Sequence, residues 1–285
     1  MHDSREAAGG QEQVKGKPRP PFLRALGRDE PPAELLVDGR ALSLLDVLKH
    51  DSFAATALYR DQLGCEVACK FNRIQPILGL PLAWLGNWLG RRETFFYAQL
   101  ADLACVPDGC GSVFAAGVEL KNACAHDFVP GAPLKKTDCL PEAFFDDLEA
   151  GLAALHARGI FLLDLNKREN IIVGRDGAPC LIDFQIAAYV PPDSRNVLLR
   201  RIARELERCD AYHLMKHRMR HSRGGAAPAE ETLEAMRPVW VRMHRVFAQP
   251  LIRLRRWLLV KLEVRTGKGH AGSEHDPEAA LRDDE

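Results

Sequence analysis

The chain has 285 residues, 46% of them hydrophobic, and its 39 Lys plus Arg balance 39 Asp plus Glu. That suffices for one large domain or two lobes sharing a cleft, while a formal net charge of zero excludes any global electrostatic argument for a nucleic-acid or membrane partner. The eight cysteines form no CxxC pair and no zinc-site spacing, and neither a signal-peptide core nor an apolar run of spanning length occurs, so reduced thiols in a cytoplasmic protein are expected.

Residues 1–33 are rich in Gly, Pro, Lys, Glu and Gln and poor in large apolar side chains, which predicts a flexible tail, as does the composition of 267–285. From Leu42 to Arg73, the runs ALSLLDVLKH, SFAATALYR and CEVACKF read as three antiparallel strands, with turn chemistry at Gln62–Gly64. WLGNWLGRRETFFYAQLADLA then spaces Trp88, Phe95, Phe96, Leu100 and Leu103 as a helix face, ended by Pro107-Asp108-Gly109. SVFAAGVEL and NACAHDFV complete a sheet of about five strands before the turn at Pro130-Gly131. This predicts a front lobe over 34–130.

A helical lobe is expected over 131–266. LPEAFFDDLEAGLAALHARG is amphipathic, with apolar residues at 144, 145, 148, 152 and 155 and a closing Gly159. FLLDLNKRENIIVGRDGAPCLIDFQIA reads as a hairpin turned at Arg-Asp-Gly, after which helical periodicity resumes through RNVLLRRIARELERCDAYHLMKHRMRH. The three His of that last run, without acidic partners, read as part of a basic face rather than a metal site. Arg237 to Arg265 carries eight Arg or Lys against the single Glu263, interleaved with Trp240, Phe247 and Trp257. Such a stretch is either a final helix packed on the rear lobe or a peripheral contact with an anionic membrane, which would bring the protein to the inner face.

Phosphoryl transfer needs a carboxylate beside the attacking group, oxygen ligands for magnesium and a cation on the phosphates. Asp164 follows a buried apolar run and could orient or deprotonate a hydroxyl, and Asn170, six residues on, offers a hard amide oxygen. Asp183 ends the second strand of the hairpin, which returns it to the same rim. No His, Cys or Ser stands out as a covalent intermediate, so transfer would be direct and in line.

These segments, LHARGI, DLNKREN-IIV and LIDFQIA, resemble the catalytic loop and metal-binding motif of the protein-kinase-like superfamily. The resemblance covers about residues 42–190 and implies an α+β, two-lobed fold, with an antiparallel sheet and one helix in the N-lobe and a helical C-lobe. It implies ATP and Mg²⁺ as cofactors, Asp164 as the catalytic aspartate, and Asn170 and Asp183 as metal ligands. Val67-Ala68-Cys69-Lys70 resembles the third-strand lysine motif, so Lys70 would hold the nucleotide phosphates with Glu93 as its ion-pair partner. Glu93 could instead pair locally with Arg91 or Arg92. His126-Asp127-Phe128-Val129 resembles the hinge, so Asp127, Phe128 and Val129 would bind adenine. Lys167 and Arg168 either neutralise transferred phosphate or form a solvated loop tip.

The departures narrow the branch. Lys49 to Thr56 occupies the place of the glycine-rich loop without a glycine, Phe161-Leu162-Leu163-Asp164 lacks the His-Arg of the usual motif, and Gln185 replaces the glycine after Asp-Phe. The loop from Asp164 to Asn170 is one residue longer than usual and no Ala-Pro-Glu follows. The pattern is similar to a bacterial branch near the lipopolysaccharide core kinases and small RIO-like kinases. It implies a hydroxyl acceptor on a sugar, lipid-linked or small molecule, with a protein Ser or Thr as the alternative. A pseudokinase scaffold is the reading the missing glycines favour and the retained trio of Asp164, Asn170 and Asp183 opposes; a nucleic-acid binder acting through the basic carboxyl-terminal helices is a third, and its affinity would fall steeply with salt and survive loss of Asp183.

Overall fold

The structure, a computed structural model, describes residues 20–77, 79–223 and Pro238. The first nineteen residues, the stretch 267–285 and all but Pro238 of the basic stretch 237–265 lie outside the described residues. Within them the architecture is α+β and two-lobed, as the sequence predicts.

The front lobe is built on β1 (Glu34–Val37), β2 (Arg40–His50), β3 (Ala54–Asp61), β4 (Glu66–Asn72), β5 (Val113–Ala115), β6 (Val118–Glu119) and β7 (Ala123–Asp127), with α1 (Ala83–Leu100) between β4 and β5. The three strands expected from Leu42 onward are β2, β3 and β4, each paired antiparallel with its neighbour. The sheet has seven strands, in the order β6-β5-β1-β2-β3-β4-β7, rather than about five. The two additions are too short to show a period: β1 has four residues and β6 two. The sheet curls until its ends meet. Just before β5, Cys110 N–H donates to Ala125 O (2.9 Å) and Asp108 O accepts from Asp127 N–H (2.9 Å), which satisfies the outer edge of β7.

One expectation is corrected at the amino-terminal side. Residues 20–33 are packed, with a 3-10 turn at Pro21–Leu23 and both Ala25 and Leu26 buried. The cause is polar. Arg73, itself buried, donates to the carbonyls of Phe22 (2.9 Å), Arg24 (3.3 Å), Ser52 (2.7 Å), Gln75 (2.8 Å) and Pro76 (3.1 Å). One guanidinium therefore gathers the leading segment, the β2–β3 turn and the start of the α1 connection, and a buried carbonyl without such a donor is costly.

The helix face of α1 also differs from the expected one. Phe96, Tyr97 and Leu100 are buried with Gly86, Gly90 and Glu93, whereas Trp88 and Phe95 are exposed. The glycines decide this. A Cβ on Gly86 would stand 2.2 Å from Arg73 O, and one on Gly90 would stand 2.8 Å from Lys121 O. Only glycine at these two positions lets the helix lie this close to the sheet.

The rear lobe contains α2 (Glu142–Ala157), α3 (Val197–His221) and two small sheets: β8 (Gly131–Pro133) beside β10 (Ile171–Gly174) and β11 (Pro179–Leu181), and β9 (Ile160–Phe161) beside β12 (Ala188–Tyr189). All five apolar positions read on α2, at 144, 145, 148, 152 and 155, are buried in one core with Ile160, Ile171, Leu181 and Phe184. Gly159 ends the helix at φ +72°, where a Cβ would stand 2.0 Å from Val190 O. Arg218 of α3 joins the two helices through Glu142 (2.8 Å), Asp146 and Glu149 (3.0 Å) of α2.

Replacing Arg73 with Met leaves five carbonyls around an apolar side chain, and the variant should lose at least about 3 kcal/mol of unfolding free energy in urea. A loss under about 1 kcal/mol would show that the leading segment is not held this way.

Candidate active site

The cleft between the lobes gathers the residues singled out in the sequence. Lys70 stands on β4, and its ammonium donates to Glu93 Oε1 (3.2 Å) and Asp183 Oδ1 (2.7 Å). Glu93 thus faces Lys70, not Arg91 or Arg92. It lies on the α1 face of Gly86 and Gly90, the face those glycines press onto the sheet. Asp183 follows β11 with φ +65°, in the left-handed region that a non-glycine residue adopts only when its surroundings enforce it. Its N–H donates to the Tyr97 hydroxyl (3.3 Å).

One cation therefore serves two carboxylates. Burial works against charge on Lys70, but Asp183 and Glu93 outweigh it and raise the ammonium above its ordinary value. Burial raises Asp183 as well, yet the nearer Lys70 overcomes this and holds the carboxyl below the usual carboxylate range. Glu93, whose side chain is 3% exposed, is pushed by burial to about 7 against the pull of Lys70. Near neutral pH, Glu93 is the carboxyl that takes up a proton and Asp183 the one that stays ionised.

Asp164 faces this group from the rear lobe. The chain leaves β9 through Leu162 and Leu163, the latter at φ +63°, and α3 grips that bend. Asp210, fully buried, accepts from Leu162 N–H (2.9 Å) and Leu163 N–H (3.1 Å) and pairs with His156 Nε2 (3.0 Å). Two turns along, His217 Nε2 contacts Leu165 O (2.7 Å). Burial brings the His217 ring down to about 4, so it is neutral and donates through Nε2. The expected basic face is corrected accordingly: His213, His217 and His221 are buried on the inner side of α3. Asp210 was missed in the sequence, although it shares a helix face with Leu214, His217 and His221. A polar residue on such a face is the signal available.

Asp164 is raised by burial, a shift that its ion pair with Lys167 opposes. Lys167 thus pairs with Asp164 at the edge of the site while its side chain stays 56% exposed. Asn170 is buried, its Nδ2 donates to Asp164 O (3.2 Å), and its carbonyl accepts from Ile182 N–H (3.1 Å). The hairpin so brings Asp164, Asn170 and Asp183 to one rim. With its nitrogen turned to Asp164, the Asn170 amide presents its oxygen as a donor atom. An ionised carboxylate and an amide oxygen suit Mg²⁺, which commonly takes one or two protein ligands and completes its shell with phosphate and water. Among the described residues, no group of three or more His, Cys, Asp or Glu is placed to hold a metal ion.

The rest of the nucleotide expectation fits less evenly. At the hinge, Asp127 N–H donates to Asp108 O (2.9 Å) and Phe128 N–H to Glu66 O (2.9 Å), so both amides serve the fold. The Asp127 carbonyl is met in turn by His126 Nδ1 (2.8 Å), so the Asp127 backbone serves the fold through both of its polar groups. In the glycine-free turn between β2 and β3, Asp51 accepts from Phe53 N–H (2.7 Å) and Ala54 N–H (3.0 Å), which places a carboxylate on amides that a phosphate-binding turn would present.

No protein-family model matches the chain, and no curated protein does. Among solved structures it is similar to the Rio2 kinase of Chaetomium thermophilum in an ADP/Mg²⁺-phosphoaspartate complex, at 15% identity and a TM-score of 0.47, over 68% of this chain and 61% of that one. A second structure of the Rio2 kinase from that organism matches at 15% identity and a TM-score of 0.44, over 66% and 60%. The chain spans about three-fifths of the length of the kinase it matches. No helix among the described residues is long and apolar enough to cross a membrane.

Because the folded-state value of Glu93 lies above its ordinary 4.5, its contribution to stability is complete below about pH 4.5 and is lost as pH rises through about 7. Asp183, held below its ordinary value, contributes the opposite slope in acid. Glu93→Gln, neutral at every pH, should flatten the decline in unfolding free energy between pH 4.5 and 7.5 and leave the acid limb in place. An unchanged slope would remove Glu93 as its source.

Proposed function

We propose that the protein is an ATP- and Mg²⁺-dependent kinase that transfers the γ-phosphoryl group to the hydroxyl of a sugar or other small molecule. The observation that carries this reading is the Lys70 ammonium set between Glu93 and Asp183, with Asp164 and Asn170 on the facing rim. In this role Lys70, oriented by Glu93, draws the nucleotide phosphates into the cleft. Asp183 and Asn170 hold the metal, which supplies neutralisation of phosphate charge when bound. Asp164 orients the acceptor hydroxyl and takes its proton as the new O–P bond forms and the bond to the leaving ADP breaks. Its raised proton affinity suits that task. Lys167 offsets charge beside it.

The acceptor class is supported by the segment after the site. Only thirteen residues, 184–196, separate Asp183 from α3, and they include the short β12 and the turn at Pro191-Pro192. So short a connection gives little platform for an extended peptide, which favours a small hydroxyl compound over a protein Ser or Thr. A lipid-linked sugar at the inner membrane face agrees with the basic, aromatic composition of 237–265. A second reading, a scaffold without turnover, is favoured by the Asp51 carboxylate on the amides of Phe53 and Ala54.

Incubation with γ-labelled ATP and Mg²⁺, against lipopolysaccharide core sugars and against casein-type protein substrates, separates these readings. The expected result is label on the sugar fraction, reduced by about 10²–10⁴ in Asp164→Asn, the usual worth of a positioned acid or base. Label on protein alone would overturn the acceptor class, and no transfer to any hydroxyl alongside normal nucleotide binding would favour the scaffold.

A further inference from the structure

Gln185 occupies the place where the resembling motif has glycine, and its side chain crosses the cleft. Gln185 Nε2 donates to Asn72 Oδ1 (2.6 Å) at the end of β4. Asn72 is fully buried, and its amide cannot turn freely: Nδ2 donates to Asn122 O (3.1 Å), while Asn122 Nδ2 donates back to Asn72 O (2.8 Å) and Asn72 N–H also reaches Asn122 O (2.8 Å). With its nitrogen committed, Asn72 presents only its oxygen to the cleft, which calls for a donor. Gly90 packs onto Lys121 and Asn122, so this pair of amides is clamped from the α1 side as well.

On the other side of Gln185 lies Asp183, held at φ +65°. Its carboxylate accepts from the Gln185 backbone N–H as well as from Lys70. A residue in that conformation persists only where neighbours over-determine it. The following turn, closed by Ala187 N–H to Phe184 O (3.0 Å), is tied to α1 by Arg92, which donates to Ala187 O.

We infer that Gln185 is a positioning residue that latches Asp183 in its cleft-facing setting through the Asn72–Asn122 amide pair. The functional half of this inference rests on the kinase reading. On that reading the metal-binding carboxylate is held by an amide built into the sequence, so its placement needs no phosphate on the segment that follows. The absent His-Arg before Asp164 agrees, since the arginine that would meet such a phosphate is missing.

The test uses the full chain and two readouts. In the nucleotide-free protein, native-state hydrogen exchange is compared between wild type and Gln185→Leu, with Gln185→Asn as the variant that retains a donor. The latch predicts exchange about tenfold faster at the Asp183 and Ala187 amides in Gln185→Leu, the net worth of one part-buried hydrogen bond, with α2 amides unchanged and Gln185→Asn intermediate. The Mg²⁺ concentration giving half-maximal thermal stabilisation by ATP should rise about tenfold in Gln185→Leu, while any stabilisation by ATP without metal stays the same. Unchanged exchange at Asp183 and Ala187 overturns the latch. Faster exchange with an unchanged Mg²⁺ requirement overturns the positioning role and leaves a structural bond. If wild type shows no Mg²⁺-dependent stabilisation, the kinase reading fails, and the exchange comparison still decides the latch.

Discussion

A single, mostly buried ammonium shared by carboxylates from two lobes is the constraint on which the rest of the molecule turns. Lys70 comes from the sheet, Glu93 from the helix laid on it, and Asp183 from the rear-lobe hairpin. Without the cation, two carboxylates would be left close together at low dielectric, which is strongly unfavourable; without either partner, the cation itself would be stranded. The arrangement therefore fixes how near α1 must lie, which explains why Gly86 and Gly90 stand where any side chain would strike backbone. It also explains why Asp183 holds a left-handed backbone conformation that its side chain would otherwise avoid.

The facing half of the site is held in a different way. Asp164 pairs with Lys167 of its own loop, and its place is set by α3, where Asp210 takes the two amides before it and His217 meets the carbonyl after it. One helix thus grips both sides of the bend at Leu163. The same helix is bound to α2 through Arg218 and its three carboxylates, so the bend carrying Asp164 rests on the packed core of the rear lobe. The site forms where these two supports meet, and the short hairpin of β10 and β11 is what brings them together.

The parts of this design that were legible in the sequence are those written in local spacing. The α2 face, the hairpin, and the order Asp164, Asn170, Asp183 follow from periods of a few residues and from an Arg-Asp-Gly turn. Lys70 and Glu93 could be proposed because Val67-Ala68-Cys69-Lys70 resembles a third-strand lysine motif and the helix that follows it carries Glu93. What was not legible depends on contacts distant in sequence. Arg73 reaches fifty residues back to hold Phe22 and Arg24, and since it satisfies carbonyls rather than burying apolar groups, the leading segment looked like a tail. The aromatic spacing of α1 pointed to Trp88 and Phe95, but the close approach set by two glycines turned a different face inward. The buried His217 and His221 of α3 looked basic because the carbonyls they meet, of Leu165 and Asp138, lie in two separate loops far back in the sequence.

On the proposed reading these features supply a cation for phosphates, two oxygen ligands for a divalent ion and a carboxylate beside an acceptor, while the amides of the turn at 49–56 are partly taken by Asp51. Whether the cleft accepts a nucleotide is the point on which the kinase account stands. The direct measurement is thermal unfolding with ATP, with and without Mg²⁺, in wild type and in Asp183→Ala. A ligand at about a hundred times its dissociation constant adds roughly 2.7 kcal/mol, a shift of several degrees. The account predicts such a shift in wild type only when Mg²⁺ is present, and its loss in the variant; no shift at millimolar ATP in either protein would contradict it.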